Sequence, residues 1–195
     1  IAPRNPYGAA KAFALNLGRI YRESHGLFVT NGILYNHESP RRGENFVTKK
    51  IASSVARIAM GKQAALELGN LDGCRDWGFA AEYVEGMWSM LQAETADDFL
   101  LATGELTTVR QFAAAAFAVA EIPVEFSGEG VNEVARRTDT GEVVLSVDAK
   151  FYRPVDASHL VGDASKAKAQ LGWIPQTSGT DLAKLMVAAE LATTS

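Results

Sequence analysis

The chain has 195 residues, of which 47% are hydrophobic and 22% charged, and its formal net charge at pH 7 is −4. This length predicts one globular domain or slightly more, with a real apolar core. The small negative charge gives no electrostatic case for nucleic acid or an anionic membrane as a partner. No apolar run approaches the roughly 20 residues that span a bilayer. The single cysteine, Cys74, excludes an internal disulfide and a cysteine metal cluster. We therefore expect no metal site and a reducing, cytoplasmic setting.

Hydrophobic periodicity predicts an α/β fold in which strands and helices alternate along the chain. The predicted helices cover residues 7–25, 47–61, 79–94, 109–121, 163–171 and 180–192. The predicted strands cover residues 27–34, 66–68, 99–102, 124–126 and 143–147. The apolar and β-branched run 27–34 is typical of a strand buried on both faces of a parallel sheet. The polar stretches 35–46 and 127–142 are predicted to be exposed loops.

The first predicted helix carries Tyr7 and Lys11, whose spacing of four residues places them on one helical face. An ammonium beside a phenol favours the phenolate and so lowers the phenol pKa. Such a tyrosine could accept a proton from a sugar hydroxyl while hydride leaves for a nicotinamide. On spacing alone, a chance pair on a surface helix is the commoner explanation. The flanking sequence Pro-Tyr-Gly-Ala-Ala-Lys, however, resembles the active-site helix of the extended short-chain dehydrogenases/reductases that remodel nucleotide sugars.

A polar segment follows the run 27–34 and reads Tyr-Asn-His-Glu-Ser-Pro-Arg-Arg over residues 35–42. α/β proteins bind ligands beyond the carboxyl ends of their strands, and arginine suits bidentate contact with phosphate. On physical grounds alone, a solvated loop in which His37 only caps a strand end explains this segment equally well.

The wider sequence distinguishes these two interpretations. Residues 31–51 read Asn-Gly-Ile-Leu-x-Asn-His-Glu-Ser-Pro-Arg-Arg-Gly-x-x-Phe-Val-Thr-x-Lys-Ile. Further blocks follow at residues 68–78, 102–104, 109–112, 152–154 and 162–175. In this order and over nearly the whole chain, they resemble the GDP-mannose 4,6-dehydratases. The match corresponds to roughly the C-terminal half of a family member.

The resemblance implies a role for residues on the first helix and in the polar segment. Tyr7 would be the catalytic acid/base and Lys11 its partner, and both would contact NADP. His37 and Arg42 match positions that contact the cofactor. In the family, the loop that carries them also approaches the cofactor of a neighbouring subunit, so we expect a homo-oligomer, either a dimer or a tetramer.

The resemblance also implies a set of residues that bind the GDP-sugar. They are Asn36, Thr48, Lys49, Gly69, Asn70, Arg75, Arg153 and Asp156. Asp156 stands where the family usually has a glutamate, so its contact with the ribose would be made by a side chain shorter by one methylene. A structural salt bridge with Asp72 or Asp76 is a rival role for Arg75.

The chain lacks a Gly-x-Gly-x-x-Gly turn after a strand, the usual phosphate-binding site for a dinucleotide. We expect residues 1–65 to be the C-terminal part of an NADP-binding Rossmann domain. Residues 66–195 would mainly bind the GDP-sugar, with some segments returning to the Rossmann sheet. We also expect the chain alone to be inactive and to expose a sheet edge and apolar helix faces.

The implied reaction converts GDP-mannose to GDP-4-keto-6-deoxymannose. NADP would oxidise C4, water would leave across C5 and C6, and the hydride would return to C6. Three alternatives stay open: the reductase that acts on the 4-keto product, a dehydratase or epimerase for another nucleotide sugar, and a non-catalytic GDP-sugar-binding module.

Overall fold

The computed structural model describes residues 2–153 and 160–194. Within these ranges the helices are α1 Pro6–His25, α2 Val47–Ala59, α3 Ala80–Leu91, α4 Val109–Val119, α5 Ser165–Leu171 and α6 Gly179–Thr194. The strands are β1 Asn31–Leu34, β2 Asn36–Glu38, β3 Leu66–Leu68, β4 Cys74–Arg75, β5 Trp77–Phe79, β6 Asp98–Leu101, β7 Thr107–Thr108, β8 Val124–Ser127, β9 Val134–Arg137 and β10 Val143–Val147. This alternation confirms the predicted α/β class. None of the described helices is both long and apolar enough to cross a bilayer.

One part of the molecule is built on parallel strand pairs. β1 pairs with β6, and β2, the continuation of β1 after one residue, pairs with β5. Helices α3 and α5 pack against β6, with an apolar cluster between them. The cluster consists of Tyr83, Met90, Phe99, Leu101, Ala167 and Trp173.

The second part is a four-stranded mixed sheet in the order β3-β10-β9-β8. Helices α2, α4 and α6 pack on one another and on this sheet through the larger apolar cluster, to which Ile51, Phe112, Leu145 and Met186 belong. The predicted domain division after residue 65 stays a prediction, and α2 shares its core with the two helices that follow that boundary.

The prediction that residues 27–34 form a strand buried on both faces is wrong in extent and in burial. The strand begins only at Asn31, and Ile33 is 41% exposed. Asn31 and Ile33 share the face of β1 that α1 crosses. Helix α1 contacts this face through polar groups at Asn31 and buries none of its own side chains, and Ile33 stays partly exposed.

Both predicted loops contain strands. Residues 35–46 include β2, and residues 127–142 include β9. The sequence Asn-His-Glu of β2 has no apolar alternation, and this strand exists because its backbone pairs with β5. β9 lies between β8 and β10, so both of its edges are hydrogen-bonded.

Helix α1 is attached to the parallel strands by a partly buried carboxylate. Asp98, at the start of β6, accepts hydrogen bonds from Arg19 Nε (2.5 Å), Arg22 Nη2 (3.0 Å) and Asn31 Nδ2 (2.7 Å). Burial opposes the charge of Asp98, but these hydrogen bonds outweigh it and hold the Asp98 pKa below its usual value. Gly18 permits the close approach, because a Cβ there would lie 2.5 Å from the Asn31 Oδ1.

We predict that Asp98→Asn loosens α1. Hydrogen bonds to a charged group each contribute about 1.5–3 kcal/mol, and the share of Arg19 is reduced by its exposure. The free energy of opening α1 should therefore fall by about 2 kcal/mol at pH 7. Amide hydrogen exchange along α1 measures this. Asp139→Asn, which breaks an exposed pair with Arg137, is the matched control and should leave α1 exchange unchanged. Equal exchange in the wild type and Asp98→Asn would contradict the anchoring role.

Candidate functional site

A cavity of about 550 Å³ opens between the N-terminal end of α2, the ends of β2 and β3, and the segment after β10. It gathers predicted site residues from three separate blocks of the sequence, at residues 31–51, 68–78 and 152–154. Those that line it are Asn36, Arg42, Thr48, Gly69, Asn70, Arg75 and Arg153. Asp156 lies outside the described residues. Lys49, His37, Tyr7 and Lys11 are not among the lining residues.

The charge of the cavity lining is largely positive. Arg42, Arg75 and Arg153 line the cavity together with Lys50 and Lys150. Arginine and lysine are the residue types that proteins use to hold phosphate groups. The cavity can therefore hold an anionic ligand, although the chain as a whole is negatively charged.

The two acidic residues near Arg75 in sequence, Asp72 and Asp76, interact with other groups. Asp72 pairs with Arg110 at 2.7 Å. Asp76 is buried and accepts hydrogen bonds from Thr103, Gly104 and Gly162. Arg75 itself donates to the carbonyl oxygen of Cys74 at 2.7 Å.

The cavity also contains an aromatic ring that sequence reasoning missed. Phe151 is 42% exposed, and its ring centroid lies 4.3 Å from Lys50 Nζ and 5.3 Å from Lys150 Nζ. Gly69 lets this segment approach β3, because a Cβ at residue 69 would lie 2.3 Å from the Phe151 carbonyl oxygen. The position of Phe151 directly before the block 152–154 was the available signal.

A buried carboxylate supports the cavity wall. Glu38, the last residue of β2, is 3% exposed and accepts a hydrogen bond from Thr48 Oγ1 at 2.8 Å. Arg42 Nε lies 2.9 Å from the same carboxylate, but this contact is an ion pair without hydrogen-bond geometry. The Arg42 guanidinium lies 3.4 Å from the centroid of the Phe46 ring. The Thr48 hydroxyl is thus engaged inside the wall.

Lys49 and Lys50 point in different directions from α2. Lys49 Nζ donates to the Pro40 carbonyl oxygen at 2.8 Å and pairs with Glu190 of α6. Lys50 lines the cavity instead. The sequence block identifies this turn of α2, and the rotation of the helix decides which lysine reaches the cavity.

His37, Tyr7 and Lys11 lie apart from the cavity lining. The His37 Nδ1 is 2.8 Å from the Tyr35 carbonyl oxygen, and its ring stacks on Tyr83 with a centroid separation of 5.0 Å. On α1, Lys11 Nζ lies 5.5 Å from the Tyr7 ring centroid. Tyr7 is 72% exposed, so its phenol is accessible to a ligand. Among the described residues, no group of acidic, histidine or cysteine side chains could hold a metal ion.

Glu38 should make folding stability depend on pH. Burial raises the pKa of Glu38 above its ordinary value of 4.5, although Thr48, Arg42 and His37 act in the opposite direction. Protonation therefore favours the folded state, and this contribution is lost as the pH rises from about 4.5 through the raised pKa.

We predict that Glu38→Gln gains stability relative to the wild type over that pH range, because glutamine carries no charge to bury. Thermal unfolding between pH 4 and pH 8 measures the difference. Glu44→Gln, in an exposed position of the same segment, is the control and should follow the wild type. A Glu38→Gln difference that stays constant with pH would refute the prediction.

Comparisons with known proteins identify the family of the chain. A family model described as GDP-mannose 4,6 dehydratase matches residues 1–186. The chain is 48% identical over 189 residues to GDP-mannose 4,6 dehydratase of Homo sapiens, covering 97% of this chain and 51% of that protein. It is 49% identical to GDP-mannose 4,6-dehydratase of Sinorhizobium fredii, covering 97% and 54%. The chain thus spans about half the length of these relatives.

Solved structures show the same fold. RMD from Pseudomonas aeruginosa, complexed with NADPH, superposes with a TM-score of 0.81 at 20% identity, covering 98% of this chain and 58% of that one. UDP-glucose 4-epimerase from Thermotoga maritima, with UDP-glucose, gives 0.72 at 23% identity, covering 100% and 56%. At these identities the likeness concerns the fold, which is of the Rossmann type. The family model over residues 1–186 and the relatives at 48–49% identity show that the chain belongs to the GDP-mannose 4,6-dehydratase family.

Proposed function

We propose that the protein that contains this chain dehydrates GDP-mannose to GDP-4-keto-6-deoxymannose with NADP as its cofactor. Family membership supports this activity. The observation that carries it is the convergence of the blocks 31–51, 68–78, 109–112 and 152–154 on one cation-lined cavity beside parallel strands. We also propose a homo-oligomer, either dimer or tetramer, in the cytoplasm, on the strength of family resemblance and the single cysteine.

In this proposal the cavity holds the GDP part of the substrate. Arg75, Arg153 and Lys50 would neutralise the diphosphate, because cationic side chains on the lining of a cavity are suited to phosphate groups. Asn36 and Asn70 offer amide groups to the base or ribose, and Phe151 offers an aromatic face. Thr48 would act through Glu38, and the predicted contact of Asp156 with the ribose stays a prediction.

The nicotinamide cofactor is assigned to Tyr7, Lys11 and His37 outside the cavity and to Arg42 on its lining. The Tyr7 phenol and Lys11 ammonium stand together on an accessible helical face, and His37 and Arg42 would offer side-chain nitrogens from β2 and the segment after it. When bound, NADP would supply hydride acceptance from C4 and hydride return to C6. Tyr7 would take the proton of the C4 hydroxyl as general base, and Lys11 would stabilise the phenolate. The ketone at C4 then acidifies the C5 hydrogen, which permits loss of water across C5 and C6.

The activity can be tested on protein expressed from the complete open reading frame. We expect incubation with GDP-mannose and catalytic NADP to give a 4-keto-6-deoxy sugar. NMR of the sugar protons measures the appearance of this product. Because general acid–base catalysis contributes about 10²–10⁴-fold, Tyr7→Phe should lower kcat by that factor and leave GDP affinity unchanged. Tyr21→Phe on the same helix is the control and should keep full activity. Turnover of UDP- or dTDP-sugars instead, or GDP-mannose binding without turnover, would refute the proposal.

The two neighbouring lysines provide a test of the binding site. We predict that Lys50→Ala weakens GDP binding about tenfold, which corresponds to the loss of one charge-assisted contact. Lys49→Ala should leave GDP affinity within about twofold and instead lower stability by roughly 1 kcal/mol, since it breaks the partly buried pair with Glu190. Titration calorimetry with GDP and thermal unfolding measure the two effects. The opposite pattern would assign the cavity cation to Lys49.

A further inference from the structure

Tyr83 of α3 is the most buried aromatic residue near the strand ends and has no role in the reaction described above. Its side chain is fully buried. One face of the ring stacks on His37, with an interplanar angle of 20° and centroids 5.0 Å apart. Trp173 meets the ring edge-on at 5.4 Å. The ring is therefore fixed in position, and the imidazole of His37 lies against it.

The phenol group of Tyr83 does not explain this position. Its hydroxyl is buried and makes no hydrogen bond among the described residues. Burial raises the pKa of the phenol, and Asp76 and Glu82 raise it further, so the ring stays neutral. Burying a hydroxyl without a hydrogen-bond partner lowers the stability of the fold. The contact of Tyr83 with His37 is therefore made by its ring and not by its hydroxyl.

Gly78 creates the space that this ring occupies. In the β2–β5 register, His37 stands directly opposite Gly78. A Cβ at residue 78 would lie 2.4 Å from Tyr83 Cε2 and 2.8 Å from its hydroxyl oxygen. The backbone of Gly78 does not have a positive φ, so space, not conformation, requires glycine here. Any side chain on β5 at this position would push the ring away from His37.

A backbone carbonyl group fixes the rotation of the His37 imidazole within its own plane. Nδ1 of His37 lies 2.8 Å from the carbonyl oxygen of Tyr35. A carbonyl oxygen can only accept, so Nδ1 carries the proton and donates it. In the neutral ring Nε2 is then a hydrogen-bond acceptor. No other hydrogen bond to His37 is present among the described residues, so Nε2 is available to a ligand.

We infer that Tyr83 is a positioning residue, which orients His37 so that the His37 Nε2 accepts a hydrogen bond from the cofactor. Gly78 leaves the space that the Tyr83 ring needs. This role of Tyr83 rests on the proposed function. The donor would be a hydroxyl or a carboxamide N–H, both of which a nicotinamide ribonucleotide carries. The ring sets the plane of the imidazole, and the Tyr35 carbonyl sets its rotation within that plane. Tyr83 itself touches neither substrate nor cofactor.

The test uses protein from the complete open reading frame and measures NADPH and GDP affinity separately. Tyr83→Leu should weaken NADPH binding about tenfold, as expected for one misplaced hydrogen bond, and leave GDP affinity unchanged. Tyr83→Phe keeps the ring and should bind NADPH like the wild type. Tyr83→Met, closer in volume to tyrosine, takes the place of Tyr83→Leu if that variant does not fold.

A double-mutant cycle separates positioning from general stability. In a His37→Ala background, Tyr83→Leu should have no further effect on NADPH affinity. The His37 ring protons offer a signature that needs no cofactor. Their NMR shifts should show the ring current of Tyr83 in the wild type and Tyr83→Phe, and lose it in Tyr83→Leu.

Three outcomes would overturn the inference: equal loss of NADPH and GDP affinity in Tyr83→Leu, no loss of either, or additive effects in the cycle. These differ from failure of the proposed function. A wild-type protein that binds GDP but no NADPH would refute the cofactor assignment and this inference together. A wild-type protein that binds both ligands, with Tyr83→Leu unaffected, would refute the role of Tyr83 alone.

Discussion

The three-residue pairing of β2 with β5 is the constraint on which the site depends. Side chains alternate between the two faces of a strand, so Asn36 and Glu38 face the cavity while His37 faces Tyr83 on the opposite side. A shift of one residue in register would exchange these faces. It would bury the imidazole in the cavity wall and move the carboxylate away from Thr48. One short backbone ladder thus separates the proposed substrate contacts from the proposed cofactor contact.

Buried carboxylates hold the elements around this ladder, and they explain how an acidic chain can have a cationic cavity. Glu38 engages Thr48 and Arg42. Glu133 accepts two hydrogen bonds from Arg110. Asp76 accepts hydrogen bonds from backbone N–H groups of the loop after β6. These carboxylates are satisfied within the structure by cations or by hydrogen bonds, while several cations remain on the cavity lining. Net charge describes the whole surface and says little about the field in one concave site.

The sequence predicted the helices and the strands β3, β6, β8 and β10 well, because burial gives both kinds of element a recognisable apolar pattern. The apolar run 27–34 is the exception, since β1 is shorter and more exposed than predicted. Sequence reasoning missed β2, β5 and β9, whose pairing depends on distant partners and not on local alternation. Motif resemblance located the cavity residues by block. It could not distinguish Lys49 from Lys50, because neighbours on a helix point about 100° apart and the rotation of α2 is set by its packing against α4, α6 and the sheet. The catalytic and cofactor-binding roles of Tyr7, Lys11 and His37 stay predictions.

The proposed catalytic residues and the proposed binding residues are attached to the rest of the fold in different ways. The cavity rests on the larger apolar core, in which α2, α4 and α6 are packed together. Helix α1 contributes no buried side chain and is held near its C-terminal half by Asp98. Tyr7 lies 12 residues from Arg19, which corresponds to about 18 Å along the helix. A small tilt at the anchor is therefore amplified at the phenol. Because a low carboxyl pKa keeps Asp98 charged until strongly acidic pH, the geometry of the proton transfer should be insensitive to pH in the neutral range. The Asp98 anchor itself should therefore add no pH dependence to turnover near neutrality.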